Sequence, residues 1–328
     1  MKQTASALLM CLLLSLLGPA AHAQELALGG QVVGIQIETE GVVVAGLSQV
    51  ETESGSACPA RDAGICVGDR ILSLDGGPVT RAGDLIEGVT RSSGRAVELE
   101  LRREEKDLKV LITPVRSAED QWMLGLWLRD GVAGIGTLTF CDPDTGIYGA
   151  LGHSVSEQGG EPLPIASGSI CRAEIVGVSR GEAGAPGELN GCSDEGRVLG
   201  SIEKNSAAGI FGHAAGLGGR PVETGLVHTG PASILTTVSG SEQREFAIEI
   251  TRVFHDSAGC HVTLKVTDPE LRELTGGIVQ GMSGSPILQE GKLVAAVTHV
   301  FLSDPGQGYG LSIQDMLREA GLGEEQAA

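Results

Sequence analysis

Residues 277–300, "GIVQGMSGSPILQEGKLVAAVTHV", place Ser283 between glycines directly ahead of an apolar run rich in valine. Gly281 and Gly284 permit a backbone that β-branched residues would resist, and Pro286 stiffens the exit. A serine on such a turn stands clear of its own chain, and neighbouring N–H groups can point where an oxyanion forms. The apolar runs on both sides read as strands, so the turn lies inside β structure.

Strand-like runs recur outward from this turn: "GVAGIGTLTF", "GIYGALGH", "SICRAEIVGV", "RVLGSIE", "ILTTVSG", "EFAIEITRVF", "CHVTLKVT" and "GYGLSI". Almost no helix intervenes before the final "IQDMLREAGL". Short strands joined by Gly-rich connections predict antiparallel barrels or sandwiches. Glycine makes up about 15% of the chain (50 of 328) and aromatic residues only 3%, so the core must be aliphatic and the turns tight. The formal charge of −19 disfavours nucleic acid as a partner and repels anionic surfaces.

The first 23 residues, "MKQTASALLMCLLLSLLGPAAHA", combine Lys2, an apolar run and Ala21/Ala23 at a cleavage-like position. They read as an export signal, because the apolar run is shorter than the ~20 residues that span a bilayer. An extracytoplasmic location follows as an expectation. Six cysteines then remain, an even number compatible with disulfides in an exported chain. Cys58 with Cys66 is the expected bridge and Cys171 with Cys192 a second candidate; buried free thiols are the alternative. No cysteine or histidine spacing suggests a metal, and no cofactor is expected.

A serine nucleophile needs a base. His153 ends a Gly-rich apolar strand 130 residues before Ser283, where a barrel enzyme carries its base. Asp268, 15 residues before the serine, is the candidate for orienting that base. Standing before Pro269 and "ELREL", it alternatively caps a short helix, and the two roles are compatible if different carboxylate oxygens serve each. An α/β-hydrolase is excluded: its G-x-S-x-G pattern fails at Ser285, and its Asp, His order is not met after Ser283.

Residues 31–116 run strand, strand, strand, helix, strand, strand. With "AGICVGDRILSLDGGPV", this order resembles a bacterial PDZ domain of the kind attached to secreted proteases. The resemblance implies that Val32–Ile35 hold a peptide carboxylate and that the peptide adds as a strand beside "GIQI", under "DLIEGV". Val33, Gly34, Ile35 and Ile37 are the residues implicated. The expected organisation is a signal at 1–23, a PDZ-like α+β domain at 24–116, a linker at 117–130 and a catalytic domain at 131–328.

"GMSGSP" matches the nucleophile turn of chymotrypsin-like proteases, which implies an oxyanion hole from the N–H groups of Gly281 and Ser283. "GALGHSVSEQGG", "LGSIEKNSAAGIFGH", "TDPELRELTGGIVQGMSGSPI" and "VTHVFLSDPGQGYG" together resemble the SpoIVB serine peptidases of sporulation signalling, over nearly all the mature chain. That resemblance implies a mainly β fold, a PDZ-like domain followed by a chymotrypsin-like double β-barrel. It also implies endopeptidase activity with self-cleavage on a membrane-associated regulatory protein. It assigns His153, Asp268 and Ser283 as catalytic. His213 and His299 fall in family-like segments with structural or pocket roles, and His299 is a candidate for the specificity pocket. Departures are "SVSEQGG" after the histidine, in place of an acidic turn, and the six cysteines. The rival reading is a secreted scaffold that keeps the fold, lacks activity and binds peptides.

Overall fold

A computed structural model describes residues 25–323, apart from 105, 130 and 157–159. The export signal expected at 1–23 lies outside the described residues.

The chain is mainly β and builds three bodies. From Gly230 onward the chain forms a closed antiparallel barrel of six strands, in which Gly230–Ser239, Glu242–Asp256, Gly259–Val266, Asp304–Ser312, Lys292–Phe301 and Pro286–Gln289 follow one another round the wall. Its inward and outward faces are written in the sequence with period two. Phe246, Ile248 and Ile250 are buried, while Glu245, Ala247 and Glu249 face water.

The first barrel is a nine-stranded sheet in which Val32–Glu38 lies between Ser167–Ser179 and Val132–Cys141. A bridge from Gly200 to Ala214 joins strands from opposite sides of that sheet. The two barrels share a core: Val32, Ala173, Ile175 and Leu189 of the first pack in one cluster with Ile234, Phe246, Ile287 and Val297 of the second.

The PDZ-like body is inserted between two neighbouring strands of the first barrel, Val32–Glu38 and Val132–Cys141, and does not precede the catalytic unit. Its sheet runs Leu126–Arg129, Val42–Leu47, Arg70–Leu74, Val97–Arg103, Lys106–Ile112, with the helix Ala82–Ser92 packed on it through Leu85 and Val89.

This arrangement corrects three expectations. Leu26–Leu28 and Val32–Glu38, inside the expected PDZ-like span 24–116, belong to the sheet of the first barrel. The segment 117–130 is no linker, because Trp122–Met123 pairs with Val115–Arg116, and Leu126–Arg129 forms the edge strand of the PDZ-like sheet. Val33, Gly34, Ile35 and Ile37 cannot receive a peptide strand, because both edges of their strand are already paired and all four residues are buried. A Cβ on Gly34 would stand 2.5 Å from the Cβ of Ser193.

The six cysteines among the described residues are free thiols, so neither expected bridge is present. Cys58 is buried with its Sγ toward the Gly125 carbonyl, whereas Cys66 is exposed. Cys171 faces Val198 across its hairpin and Cys192 faces Glu174, so register keeps that pair apart.

Candidate active site

The turn that carries Ser283 is held from the opposite barrel. Thr137 donates its N–H to the Ser283 carbonyl at 2.9 Å and its hydroxyl to the Gly281 carbonyl at 2.9 Å. Thr139, two residues along the same strand and on the same face, donates its hydroxyl to the Gly284 carbonyl at 2.8 Å. Both threonines are buried, so these bonds are shielded from water.

The approach is close enough that only glycine fits. Gly284 has φ +93°, and a Cβ there would lie 2.0 Å from the Thr137 carbonyl oxygen. With the turn's carbonyls engaged in this way, the N–H groups of Gly281 and Ser283 donate to no protein acceptor among the described residues. That pair of free donors is what an oxyanion hole requires.

His153 enters the same space from the first barrel. It follows Leu151 and Gly152, both with φ +68°. A leucine in the left-handed region carries a steric cost, which its surroundings must impose. Leu151 is buried in the core of the first barrel, and the Cβ position of Gly152 lies 3.1 Å from a Thr298 methyl, so packing enforces the bend.

Asn205 pins the segment beyond the histidine. Its carboxamide accepts from the Val155 N–H at 2.8 Å and donates to the carbonyls of Val155 and Leu163 at 2.7 and 3.0 Å.

The geometry fixes the tautomer of His153. Its Nδ1 lies 2.8 Å from the Ser154 carbonyl oxygen, which can only accept, so the proton sits on Nδ1. Burial lowers the imidazole below its ordinary value and keeps it neutral, which leaves Nε2 with a free lone pair. The ring of His299 lies 4.5 Å from that of His153 at a tilt of 34°. His299 is pushed down to about 4, first by desolvation and then by the neighbouring imidazole.

Ser283, His153, His299 and Gly281 line one cleft of about 820 Å³ between the barrels. The Ser283 hydroxyl donates to the Thr298 carbonyl at 2.7 Å and makes no hydrogen bond to His153.

Asp268 is elsewhere and is corrected as the orienting residue. It caps the helix Pro269–Thr275, its Oδ1 accepting from the N–H groups of Glu270 and Leu271 at 2.9 and 3.1 Å. Its Oδ2 accepts from Ala247 N–H at 3.2 Å. It does not line the cleft, and no described carboxylate lies within 4.0 Å of His153. His213 is also outside the cleft, paired with Glu203 at 3.0 Å.

Sequence reasoning missed Thr137, Thr139 and Asn205. Threonine in a strand, and asparagine in the three-residue strand Lys204–Ser206, are too ordinary to stand out in a single sequence.

The PDZ-like body has its own groove, at a place not expected from the sequence. It holds about 570 Å³ between the helix Ala82–Ser92 and Leu126–Leu128, on the outer side of the sheet's edge strand. Leu85, Ile86 and Val89 form one wall and Leu124, Leu126 and Leu128 part of the other. The N–H groups of Leu124 and Gly125, at its end, donate to no acceptor among the described residues, and Gly125 has φ +76°. An open strand edge beside an apolar helix face is suited to an added peptide strand.

Comparison with known proteins bears on both bodies. The model of the family described as SpoIVB peptidase S55 matches residues 120–317, and a PDZ domain model matches residues 27–113. No curated protein matches the chain. Among solved structures, the chain is similar to the PDZ domain of the SdrC-like protein from Listeria monocytogenes, at 19% identity over 28% of this chain and 90% of that one, with a TM-score of 0.23. It is also similar to the Rv3671c protease in its inactive form, at 13% identity, 57% and 84% coverage and a TM-score of 0.37. The active form of that protease, from M. tuberculosis, gives 13% identity, 58% and 75% coverage and a TM-score of 0.34.

Proposed function

The chain belongs to the SpoIVB peptidase S55 family and is a serine peptidase with a PDZ domain, and on that premise we propose that Ser283 is its nucleophile and His153 its general base. The observation that carries this reading is the cleft itself. It brings a hydroxyl on a glycine turn, a neutral imidazole with a free Nε2 and two undonated N–H groups to one place.

In the proposed reaction the Ser283 hydroxyl turns from the Thr298 carbonyl toward Nε2 of His153. Oγ attacks the peptide carbonyl as Nε2 takes the proton, and the N–H groups of Gly281 and Ser283 receive the oxyanion. The imidazolium then gives its proton to the leaving amine. Water repeats the sequence on the acyl-enzyme and restores the serine. The Ser154 carbonyl, accepting from Nδ1, holds the ring in the productive tautomer where a carboxylate would otherwise do so.

The proposed substrate is a protein outside the cytoplasm, a membrane-associated regulator, with self-processing of the chain itself. The export-signal pattern at 1–23 and the resemblance of the catalytic segments support this. The groove of the PDZ-like body is proposed to take a peptide segment as an added strand along Leu126–Arg129.

The test is reaction with a serine-directed fluorophosphonate, combined with mass-spectrometric mapping of new termini in wild type and Ser283→Ala. Labelling and cleavage are expected in the wild type and absent in the variant. Cleavage that persists in purified Ser283→Ala overturns the assignment. Peptide binding with no labelling of the wild type favours the inactive scaffold.

A further inference from the structure

Among its described residues the catalytic cleft carries no Asp, Glu, Lys or Arg. Asp, Glu, Lys and Arg make up 20% of the chain, so about one lining residue in five would ordinarily belong to these types. Among the described residues of the cleft there is none.

Its walls are aliphatic instead. Ile278 and Val279 lie just ahead of the serine turn, Val300 and Leu302 on the strand and turn beyond it, and Val132 and Ile135 on the first barrel. The two histidines add no charge at neutral pH, since burial holds both imidazoles below their ordinary value.

A charged side chain entering such a space loses hydration and meets no counter-charge among the described lining residues, whereas an aliphatic one gains by burial. The volume of about 820 Å³ is in the range of sites that enclose several side chains. The strongly acidic exterior, net −19, disfavours acidic segments before they reach the cleft.

We propose that, granted the serine-peptidase chemistry assigned above, the enzyme cuts where uncharged aliphatic residues flank the scissile bond and rejects segments that bring Asp, Glu, Lys or Arg into the cleft. Ile278, Val279, Val300 and His299 are the specificity-determining residues. The PDZ-like groove, at a different place, leaves the composition of more distant parts of the substrate open.

The experiment is a mass-spectrometric profile of bonds cut by the full chain in a proteome-derived peptide library, run beside fluorophosphonate labelling of the same preparation. Cut bonds should be flanked by Ala, Val, Leu, Ile or Met. Placing a charged residue next to a cut bond should lower kcat/KM by roughly 10²-fold or more. Labelling of Ser283 together with charged residues beside the cut bonds at library frequency overturns the specificity inference and leaves the chemistry standing. Loss of both labelling and cleavage removes the chemistry and the inference with it.

Val300→Asp supplies a second measurement. A carboxylate in the wall should raise cleavage beside Lys or Arg at least about tenfold relative to the wild type. A variant that labels normally and keeps an unchanged profile contradicts the placement of Val300.

Discussion

Replacing Asp268 separates two accounts of the site that make opposite demands. As a helix cap, Asp268 satisfies the N–H groups of Glu270 and Leu271 through one oxygen and that of Ala247 through the other. Asp268→Asn keeps one carbonyl oxygen for the helix, and asparagine is as good a cap as aspartate. It loses the bond from Ala247, where an amide N–H would face another donor, a cost of about 0.5–1.5 kcal/mol. Asp268→Ala loses the cap as well, about 0.5–2 kcal/mol more. For a unit the size of the two barrels, each kcal/mol lowers Tm by roughly 2–4 °C. Activity measured well below Tm and normalised to fluorophosphonate-reactive Ser283 should stay within about threefold of wild type in both variants. If Asp268 instead oriented His153, Asp268→Asn would leave Tm nearly unchanged and reduce kcat by about 10⁴. A fall of that size in a variant that melts normally would refute the reading of His153 as oriented by the Ser154 carbonyl.

Thr137→Val keeps the shape of the side chain but leaves the buried Gly281 carbonyl without its 2.9 Å donor. Stability should drop by about 1–3 kcal/mol in denaturant titration. As the oxyanion turn loosens, kcat should fall up to about 10²-fold with KM little changed. The acid limb of kcat/KM should have its midpoint below 6.5, because burial lowers His153 and the base therefore stays neutral into more acidic solution. Since the unfolded chain takes up these protons more readily, stability should be complete above about 6.5 and decline as pH falls toward the value of about 4 held by His299; a midpoint above 6.5 contradicts the burial. Ile86→Lys, at an exposed position on the groove helix, should weaken capture of apolar peptides about 10–100-fold in calorimetry without moving Tm. Gly34→Ala should do the reverse, lowering Tm while peptide affinity holds.

The glycine turn around Ser283 and the strand end at His153 were legible because each needs unusual residues in a fixed local pattern: glycines at positive φ around Ser283, and a histidine after a Gly-rich strand. Strand positions were legible too, since period-two burial is a local property. Strand partners were not. "VVGIQIE" reads as a strand in any sheet, and only its register shows that it pairs with Val132–Cys141 and Ser167–Ser179. One signal was present: Val32, Val33 and Ile35 are apolar without alternation, as in a strand covered on both faces, whereas a strand open to a peptide alternates. The segment 117–130 reads as a linker because its polar turn hides a single two-residue pairing, and the edge strand behind it is only four residues long. Asp268 was ambiguous for a physical reason: a carboxylate before Pro is equally suited to a helix N-terminus and to an imidazole, and only the position of its two oxygens decides.

The PDZ-like body leaves the catalytic sheet at the end of Val32–Glu38 and returns in that strand's immediate neighbour, with Ile37 directly opposite Val132. The peptide-capturing part is therefore a cassette mounted at the tip of what is otherwise an ordinary hairpin. Excising it and closing Ile37 to Val132 with a tight Asn-Gly loop asks little of the remaining backbone. Any torque the cassette feels on gripping a ligand passes down two adjacent rails, one of which carries Thr137 and Thr139 to the underside of the serine turn.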